Sequence, residues 1–226
     1  MKSLIMTPAN AEAAHCGNKT KTRRPFKVQP FEGCTTCKFI HPDPDGLVIG
    51  WDEDKHGKET YGVFNHTPGF ELKCPFVPDE IVYIREVWAA IHSSCHIDYK
   101  AHPGVDGQKH CKEQQEWFDL DYLKSTNPNR YRSSLHMPEW AARTKVRITN
   151  IKAERVGDIS EEDAIAEGIE RTNADITFYR YPGQSDTAIY KTAGDAFEAE
   201  WISIYGQDSW DCNDWVWVYE FERVEV

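Results

Sequence analysis

The segment GNKTKTRR, residues 17–24, separates a predicted helix from a predicted strand. Thr7 can cap that helix, Pro8 suits its first position, and the alanine-rich residues that follow favour helix. Gly17 is a natural stop. If the basic residues run on as a strand, one face carries Thr20, Thr22 and Arg24 and the other carries Lys19, Lys21 and Arg23. We therefore expect a concentration of cations and hydroxyls directly after the first helix.

The composition is that of a globular protein with a large core. The chain has 226 residues, of which 40% are hydrophobic and 12% aromatic, with eight tryptophans. Its 37 acidic and 26 basic side chains give a formal charge of −11, which argues against indiscriminate binding to a phosphate backbone. Residues 19–27 nevertheless hold five cations and no carboxylate. We expect one positive spot there, suited to a single nucleoside or a short strand.

Sorting signals and cysteine usage indicate the compartment. No apolar run approaches the roughly 20 residues that cross a bilayer, and the N-terminus has no signal-peptide core. We expect a cytoplasmic protein with no membrane partner. Seven cysteines without an export signal favour reduced or metal-bound thiols over a disulfide scaffold. The oligomeric state is not indicated.

Secondary-structure signals are spread unevenly along the chain. We predict strands over 80–88, 145–156 (with a kink near Asn150) and 214–224, and helices over 159–169 and 193–205. Between them, 28–75, 92–130 and 170–192 have the composition of irregular insertions. Helices and strands do not alternate regularly. The sequence therefore predicts a single α+β domain, built on a mainly antiparallel sheet or small barrel with flanking helices.

Several motifs together resemble the ASCH domain family. They are G-x-K-T-x-T-x-R at 17–24, the strand at 80–88, ISEEDAIAEGI at 159–169 and WVWVYEF at 215–221. The stretches YIREVW (83–88), SLHMPEWA (134–141) and 214–221 are similar to the larger, uncharacterised ASCH-like proteins of phages and prophages. The resemblance implies a PUA-like β-barrel and, for a phage protein, the host cytoplasm. It covers roughly half of the chain, and the three insertions lie outside it.

The same family includes small bacterial amidohydrolases that remove the acetyl group from acetylcytidine with a lysine, a threonine and a glutamate. The resemblance assigns these roles to Lys19, Thr22 and Glu167. A buried lysine can activate a threonine hydroxyl for attack on an amide carbonyl. Glu167 could orient the lysine or carry the proton to the leaving amine, and Arg24 could stabilise an oxyanion or bind a nucleoside group. No cofactor is required.

A purely structural interpretation stands beside this one. Lys19 and Glu167 could form an ion pair that ties the first helix region to the later one, with Thr22 an ordinary sheet residue. In that case the K-T-x-T segment would have no catalytic part.

Nucleic-acid binding is a further alternative, since related family members have been proposed as RNA-binding modules or ribonucleases. Lys21, Arg23 and Arg24 would then contact phosphate, and Trp88 or Trp140 could stack on a base. A third alternative is a phage factor that binds a host protein through its acidic surface. The predicted substrate-binding set comprises Thr20, Lys21, Arg23, Arg24, Arg85, Glu86, Trp88 and His136.

Cysteine spacing adds a candidate structural zinc site. Cys34 and Cys37 have zinc-knuckle spacing, and Cys74 ends the same insertion after several histidines. Reduced thiols are the alternative interpretation. A second candidate cluster is formed by Cys95-His96 and His110-Cys111.

Overall fold

A computed structural model describes most of the chain. The described residues are 1–27, 29, 42–43, 46–47, 49–53, 59–64, 71–91, 96–101, 109–110, 130–172, 178–185 and 188–224. In the strands within 42–64, and at residues 71, 96 and 109–110, the description covers the backbone alone.

Four α-helices and 15 strands make up the described part. The helices are α1 (Pro8–His15), α2 (Glu161–Ala166), α3 (Ala193–Tyr205) and α4 (Gln207–Asp211). The strands are β1 (Ser3–Ile5), β2 (Lys21–Pro25), β3 (Pro42–Asp43), β4 (Gly46–Leu47), β5 (Ile49–Glu53), β6 (Glu59–Phe64), β7 (Glu71–Lys73), β8 (Ile81–Arg85), β9 (Trp88–Ile91), β10 (His96–Tyr99), β11 (Lys109–His110), β12 (Lys145–Arg155), β13 (Glu170–Arg171), β14 (Tyr179–Arg180) and β15 (Trp215–Val224). Short 3-10 turns cover Ser134–His136, Glu139–Ala141 and Val156–Asp158.

Five strands form the principal sheet, in the order β1-β8-β12-β15-β2. The β1 and β8 strands pair in parallel, whereas β12 pairs antiparallel with β8 and β15 antiparallel with β2. The α+β prediction is confirmed. Within the described residues the strands do not close into a barrel.

Helix boundaries follow the local signals. The Thr7 side chain accepts a hydrogen bond from the Asn10 amide at 3.3 Å and caps α1, and Gly17 after it has φ +81°. Ser160 caps α2 by accepting from the Asp163 amide at 3.1 Å. These predicted helices are confirmed, as is the helix ending before Gly206. The short helix α4 was not predicted.

The predicted strands at 145–156 and 214–224 are also confirmed. In β12 the buried side chains alternate through Val146 and Ile148, and the alternation shifts by one residue before Ile151. That shift falls at Asn150, whose side chain accepts a hydrogen bond from the next amide at 2.9 Å. Along β15 both faces are buried from Val216 to Tyr219, as expected for an inner strand.

The described chain forms two compact units, each assembled from separated segments. The first unit comprises Met1–Lys19, Ile81–Arg147 and Arg223–Val226, and the second comprises Thr20–Glu80 and Ile148–Glu222. The core of the first unit contains Tyr83, Trp88, Ala90, Ile97, Tyr99, Met137, Ala141 and Ala142. The core of the second contains Val156, Ala164, Ile169, Ala193, Ala196, Phe197, Trp201, Val216 and Val218.

The predicted insertions contain more regular structure than the sequence indicated. In the segment 92–130, predicted to be irregular, β10 pairs antiparallel with β9 and buries Ile97 and Tyr99. Two apolar residues are too few to establish a period of two, so this strand was missed. Segment 28–75 contains the antiparallel strands β3 to β7, and 170–192 contains the pair β13 and β14.

Membrane insertion has no structural basis in the helices that are described. None of them combines the length and apolar character that a bilayer span requires.

Candidate functional site

Arg23 lies at the centre of a carboxylate cluster in the second unit. Its side chain is fully buried, and its Nε donates to Glu154 Oε1 at 2.9 Å. The two terminal nitrogens donate to Asp163 Oδ2 at 2.7 Å and to Glu167 Oε1 at 3.0 Å. Strand β12 supplies Glu154, and the two ends of α2 supply the other carboxylates. We call this group the Arg23 cluster.

Two lysines extend the Arg23 cluster. Lys21 shares a face of β2 with Arg23, and its Nζ contacts Asp163 at 2.7 Å and Glu220 at 3.0 Å. Glu220 lies directly opposite Lys21 in the register of β15 and β2. Lys152 contacts Asp163 at 3.3 Å and also Glu154. The complete network therefore sets three cations against four carboxylates.

The charges of this network shift the pKa values of its members in a consistent direction. Burial on its own raises the pKa of the Asp163 carboxyl, but hydrogen bonds from Lys21 and Arg23 outweigh it and hold that pKa well below its usual range. Burial lowers the pKa of the Lys21 ammonium, yet the hydrogen bonds to Asp163 and Glu220 outweigh it and leave the pKa raised. All three groups of this contact therefore stay ionised near neutral pH.

The positive spot predicted at residues 19–27 is wrong in its central members. Arg23 is sealed off from solvent by three carboxylates, so it does not offer a phosphate-binding surface. Lys21 is committed to two carboxylates. The local sequence contains no acid because the partners come from β12, α2 and β15, more than 120 residues further along the chain.

The three candidate catalytic side chains are all buried. Lys19, Thr22 and Glu167 are 4%, 1% and 3% exposed. The amide of Thr20 donates to the carbonyl of Ala166 at 2.8 Å, which joins the residue next to Lys19 to the residue next to Glu167. Within β2, Thr22 lies on the face opposite Arg23, as the alternation of the strand predicts.

Lys19 is the last residue of the first unit. Its amide donates to the carbonyl of Ala13 at 3.0 Å, just beyond the end of α1. Glu167 has Arg23 as a charged partner. The alternative in which Glu167 has only a structural role thus has a specific contact in its favour, although the partner is an arginine rather than the predicted lysine.

The remaining candidates from β2 are held by neighbouring elements. The Thr20 carbonyl accepts from the Phe221 amide at 2.8 Å. Arg24 is half-buried, and its Nη1 donates to Tyr205 Oη at 3.3 Å. Among the predicted phosphate ligands, Arg24 is therefore better placed than Arg23 to reach a ligand.

Glu86 belongs to a buried ion pair in the first unit. It is 1% exposed, and Arg143 donates to its two oxygens at 2.8 and 2.9 Å. Arg143 also donates to Glu12 Oε2 at 2.7 Å, and its guanidinium lies 4.4 Å from the centre of the Tyr99 ring. These contacts give Glu86 a structural role in joining α1 to the strands, which the sequence did not reveal.

The predicted stacking tryptophan lies inside the first unit. Trp88 is 1% exposed and meets Trp140 edge to face, with ring centres 6.4 Å apart. The Arg132 guanidinium lies 5.1 Å from the Trp88 ring. Trp88 therefore supports the core and does not present a ring face to a base.

Arg85 and His136 lie near each other at the surface of the first unit. Arg85 donates to Tyr83 Oη at 2.8 Å and to the Leu135 carbonyl at 3.1 Å. His136 follows Leu135 in an exposed 3-10 turn. These two members of the predicted set are accessible to a ligand.

The candidate zinc site falls mainly on positions that are not described. Cys34 and Cys37 lie outside the described residues, as do Cys95 and Cys111. Cys74 is a half-buried free thiol whose Sγ lies 3.7 Å from Tyr219 Oη. Among the described residues no cluster of three or more metal-binding side chains occurs. Structural zinc stays a prediction.

Comparison with known proteins adds no assignment. No protein family, curated protein or solved structure matches this chain.

Sequence reasoning missed three groups with clear contacts. Asp163 was recognised only as a helix-start carboxylate, and Glu154 and Arg143 were not singled out. Alternation along β12 places Glu154 on the same face as Lys152, which is the one local signal that could have found it. The others are brought to their partners by tertiary packing.

Proposed function

We propose that this protein hydrolyses the amide that joins an acyl group to the base of a modified nucleoside, such as acetylcytidine, on a PUA-like framework of the ASCH type. The observation that carries the proposal is the Thr20–Ala166 hydrogen bond, which brings the K-T-x-T segment to the end of α2. Two of the proposed catalytic groups, Thr22 and Glu167, are buried on either side of this bond in the chain.

The chemistry follows from the residue types. The neutral amine of Lys19 takes the hydroxyl proton of Thr22 as the threonine oxygen bonds to the acyl carbon. The carbon–nitrogen bond then breaks, and the proton passes to the leaving amine of the base. Water hydrolyses the resulting threonine ester, which releases a carboxylic acid and restores the hydroxyl. Arg24 is suited to stabilising the oxyanion, because it is cationic and half-buried.

Glu167 is proposed to carry the proton to the leaving amine. The hydrogen bond from Arg23 uses Oε1 and fixes the direction of the carboxylate. Since positioning a general acid or base contributes about 10²- to 10⁴-fold to a rate, this orientation has catalytic value. Arg23 is in this scheme a positioning residue.

The test is deacylation of a panel of acylated nucleosides, acetylcytidine included, followed by chromatography. We expect turnover by the native protein, its loss in Lys19→Ala and Thr22→Val, and partial retention in Thr22→Ser, which keeps a hydroxyl. Lys191→Ala removes an exposed lysine of the second unit and serves as the matched control. Circular dichroism establishes that each variant is folded.

Failure of turnover across the whole panel would overturn the hydrolase proposal. In that case a module that binds RNA or a modified base without hydrolysis becomes the better explanation. RNA cleavage with the same protein would indicate a ribonuclease, and binding to a host protein that ignores all of these substitutions would indicate the third alternative.

A further inference from the structure

The two units differ sharply in charge. Counted over their segments, the first unit has 13 lysines and arginines against 10 aspartates and glutamates, whereas the second has 13 against 27. The chain's net charge of −11 therefore belongs to the second unit, and the first is net positive. A focused interaction with a polyanion is electrostatically reasonable for the first unit alone.

The carboxylates described in the first unit already have partners. Glu86 and Glu12 accept from Arg143, Asp98 accepts from the Tyr131 hydroxyl at 2.7 Å, and Glu139 lies 3.1 Å from the N-terminal ammonium. Arg85, by contrast, donates to a phenol and a carbonyl, both of them neutral. Its charge is not offset by a carboxylate within the described residues.

A short segment after residue 129 arranges further cations and an exposed ring next to Arg85. Arg132 and Trp88 exchange backbone hydrogen bonds at 2.7 and 3.3 Å, which lays this segment along the start of β9. Leu135 is 61% exposed and Tyr131 is 41% exposed. We define the basic aromatic surface as Arg85, Arg130, Tyr131, Arg132, Leu135 and His136.

Tyr131 has the features of a stacking platform. Its hydroxyl is anchored to Asp98, so the ring is held at one end while a large part of it stays exposed. Arg130 is exposed beside it, and Arg132 is partly exposed against the Trp88 ring. Cations that track phosphates, together with an aromatic ring that stacks on a base, are what single-stranded nucleic acid requires.

We propose that the basic aromatic surface binds single-stranded nucleic acid, with Tyr131 stacking on a base and Arg85 and Arg130 contacting phosphates. This inference goes beyond the proposed hydrolysis and does not depend on it. If both are correct, the acylated base is presented to the protein within a strand.

The test is fluorescence anisotropy with labelled single strands of about 12 nucleotides, as RNA and as DNA, and with the matching duplex. We expect saturable binding of single strands that weakens as salt is raised. Tyr131→Ala should weaken it by about 5- to 150-fold, the equivalent of one lost stacked base. Tyr131→Phe keeps the ring and should bind nearly as the native protein does. Arg85→Ala or Arg130→Ala should each lower the slope of log affinity against log salt by about 0.7.

The controls separate this inference from the proposed function. Lys19→Ala should bind strands like the native protein even if it hydrolyses nothing, and Lys191→Ala should leave binding unchanged. A preference for RNA over DNA would show that the 2′-hydroxyl is read, and equal binding would show that it is not; both support the surface.

Four results would overturn the inference: no binding at low salt, binding unaffected by Tyr131→Ala and Arg130→Ala, equal affinity for the duplex, or equal affinity for polyglutamate. The last would point to an acidic protein segment as the partner.

Discussion

Arg23 donates from Nη1 to Glu167 Oε1 at 3.0 Å, and both side chains are shielded from solvent. The residue that the ASCH resemblance assigns to catalysis is therefore also part of a buried ion network. A substitution at Glu167 acts on activity and on stability together, so that experiments at this position need both measurements.

Replacing Arg23 by methionine should lower the free energy of unfolding by about 3–5 kcal/mol, because several carboxylates would lose their buried partner. Urea denaturation followed by tryptophan fluorescence measures the change. Lys191→Ala should shift it by less than about 0.5 kcal/mol. An Arg23→Met protein as stable as the native one would contradict the structural importance of the Arg23 cluster.

The Glu167→Gln substitution should reduce deacylation strongly while costing less stability than Arg23→Met. The amide oxygen can still accept from Arg23, but the amide cannot take up and release a proton in the same way. Glu162→Gln, an exposed position of α2, is the matched control and should change neither property. Full activity in Glu167→Gln would remove this residue from the mechanism.

Acid should destabilise the second unit through Asp163. The pKa of this carboxyl is depressed in the folded state, so its contribution is complete above its unfolded pKa of about 4 and is lost as the pH falls below that value. Unfolding free energies measured from pH 6 down to pH 2 should fall with decreasing pH. Asp163→Asn should flatten part of this slope, and an unchanged slope would argue against the assignment.

Tyr131 should titrate late. Partial burial, followed by the hydrogen bond to Asp98 and the charge of that carboxylate, raises the pKa of Tyr131 to about 12. A raised pKa means that the folded state holds this proton longer, so stability should decrease as the pH rises from about 10 towards 12. Ultraviolet difference titration of native protein against Tyr131→Phe identifies the group. Asp98→Asn should lower the pKa, and no change on that substitution would refute the coupling.

The Arg143–Glu86 pair should show strong coupling. Removing Arg143 alone, as in Arg143→Met, leaves Glu86 buried without its partner and should cost about 3–5 kcal/mol. The double variant Arg143→Met with Glu86→Leu should recover much of that loss. A thermal or urea double-mutant cycle measures the coupling, and additive effects would mean that the pair has no specific energetic role.

Local sequence was sufficient for the elements. Thr7, Ser160 and Gly17 mark helix ends through bonds made within a few residues, and the apolar run of β15 identifies an inner strand wherever it pairs. The α+β class follows from these elements. Strand β10 escaped because its two buried residues set no visible period.

The candidate site divides in the same way. Alternation along β2 correctly predicts that Lys21 and Arg23 share a face, since this depends only on the pleat. Their partners are set by packing: Asp163 and Glu220 reach Lys21 from 142 and 199 residues away in the chain. Whether a lysine or arginine is a surface cation or the centre of a buried network is a question of which distant carboxylates meet it. Burial then strengthens those contacts and removes the charge from solvent, which is why the tertiary structure and not the basic segment decides where an anionic ligand can bind.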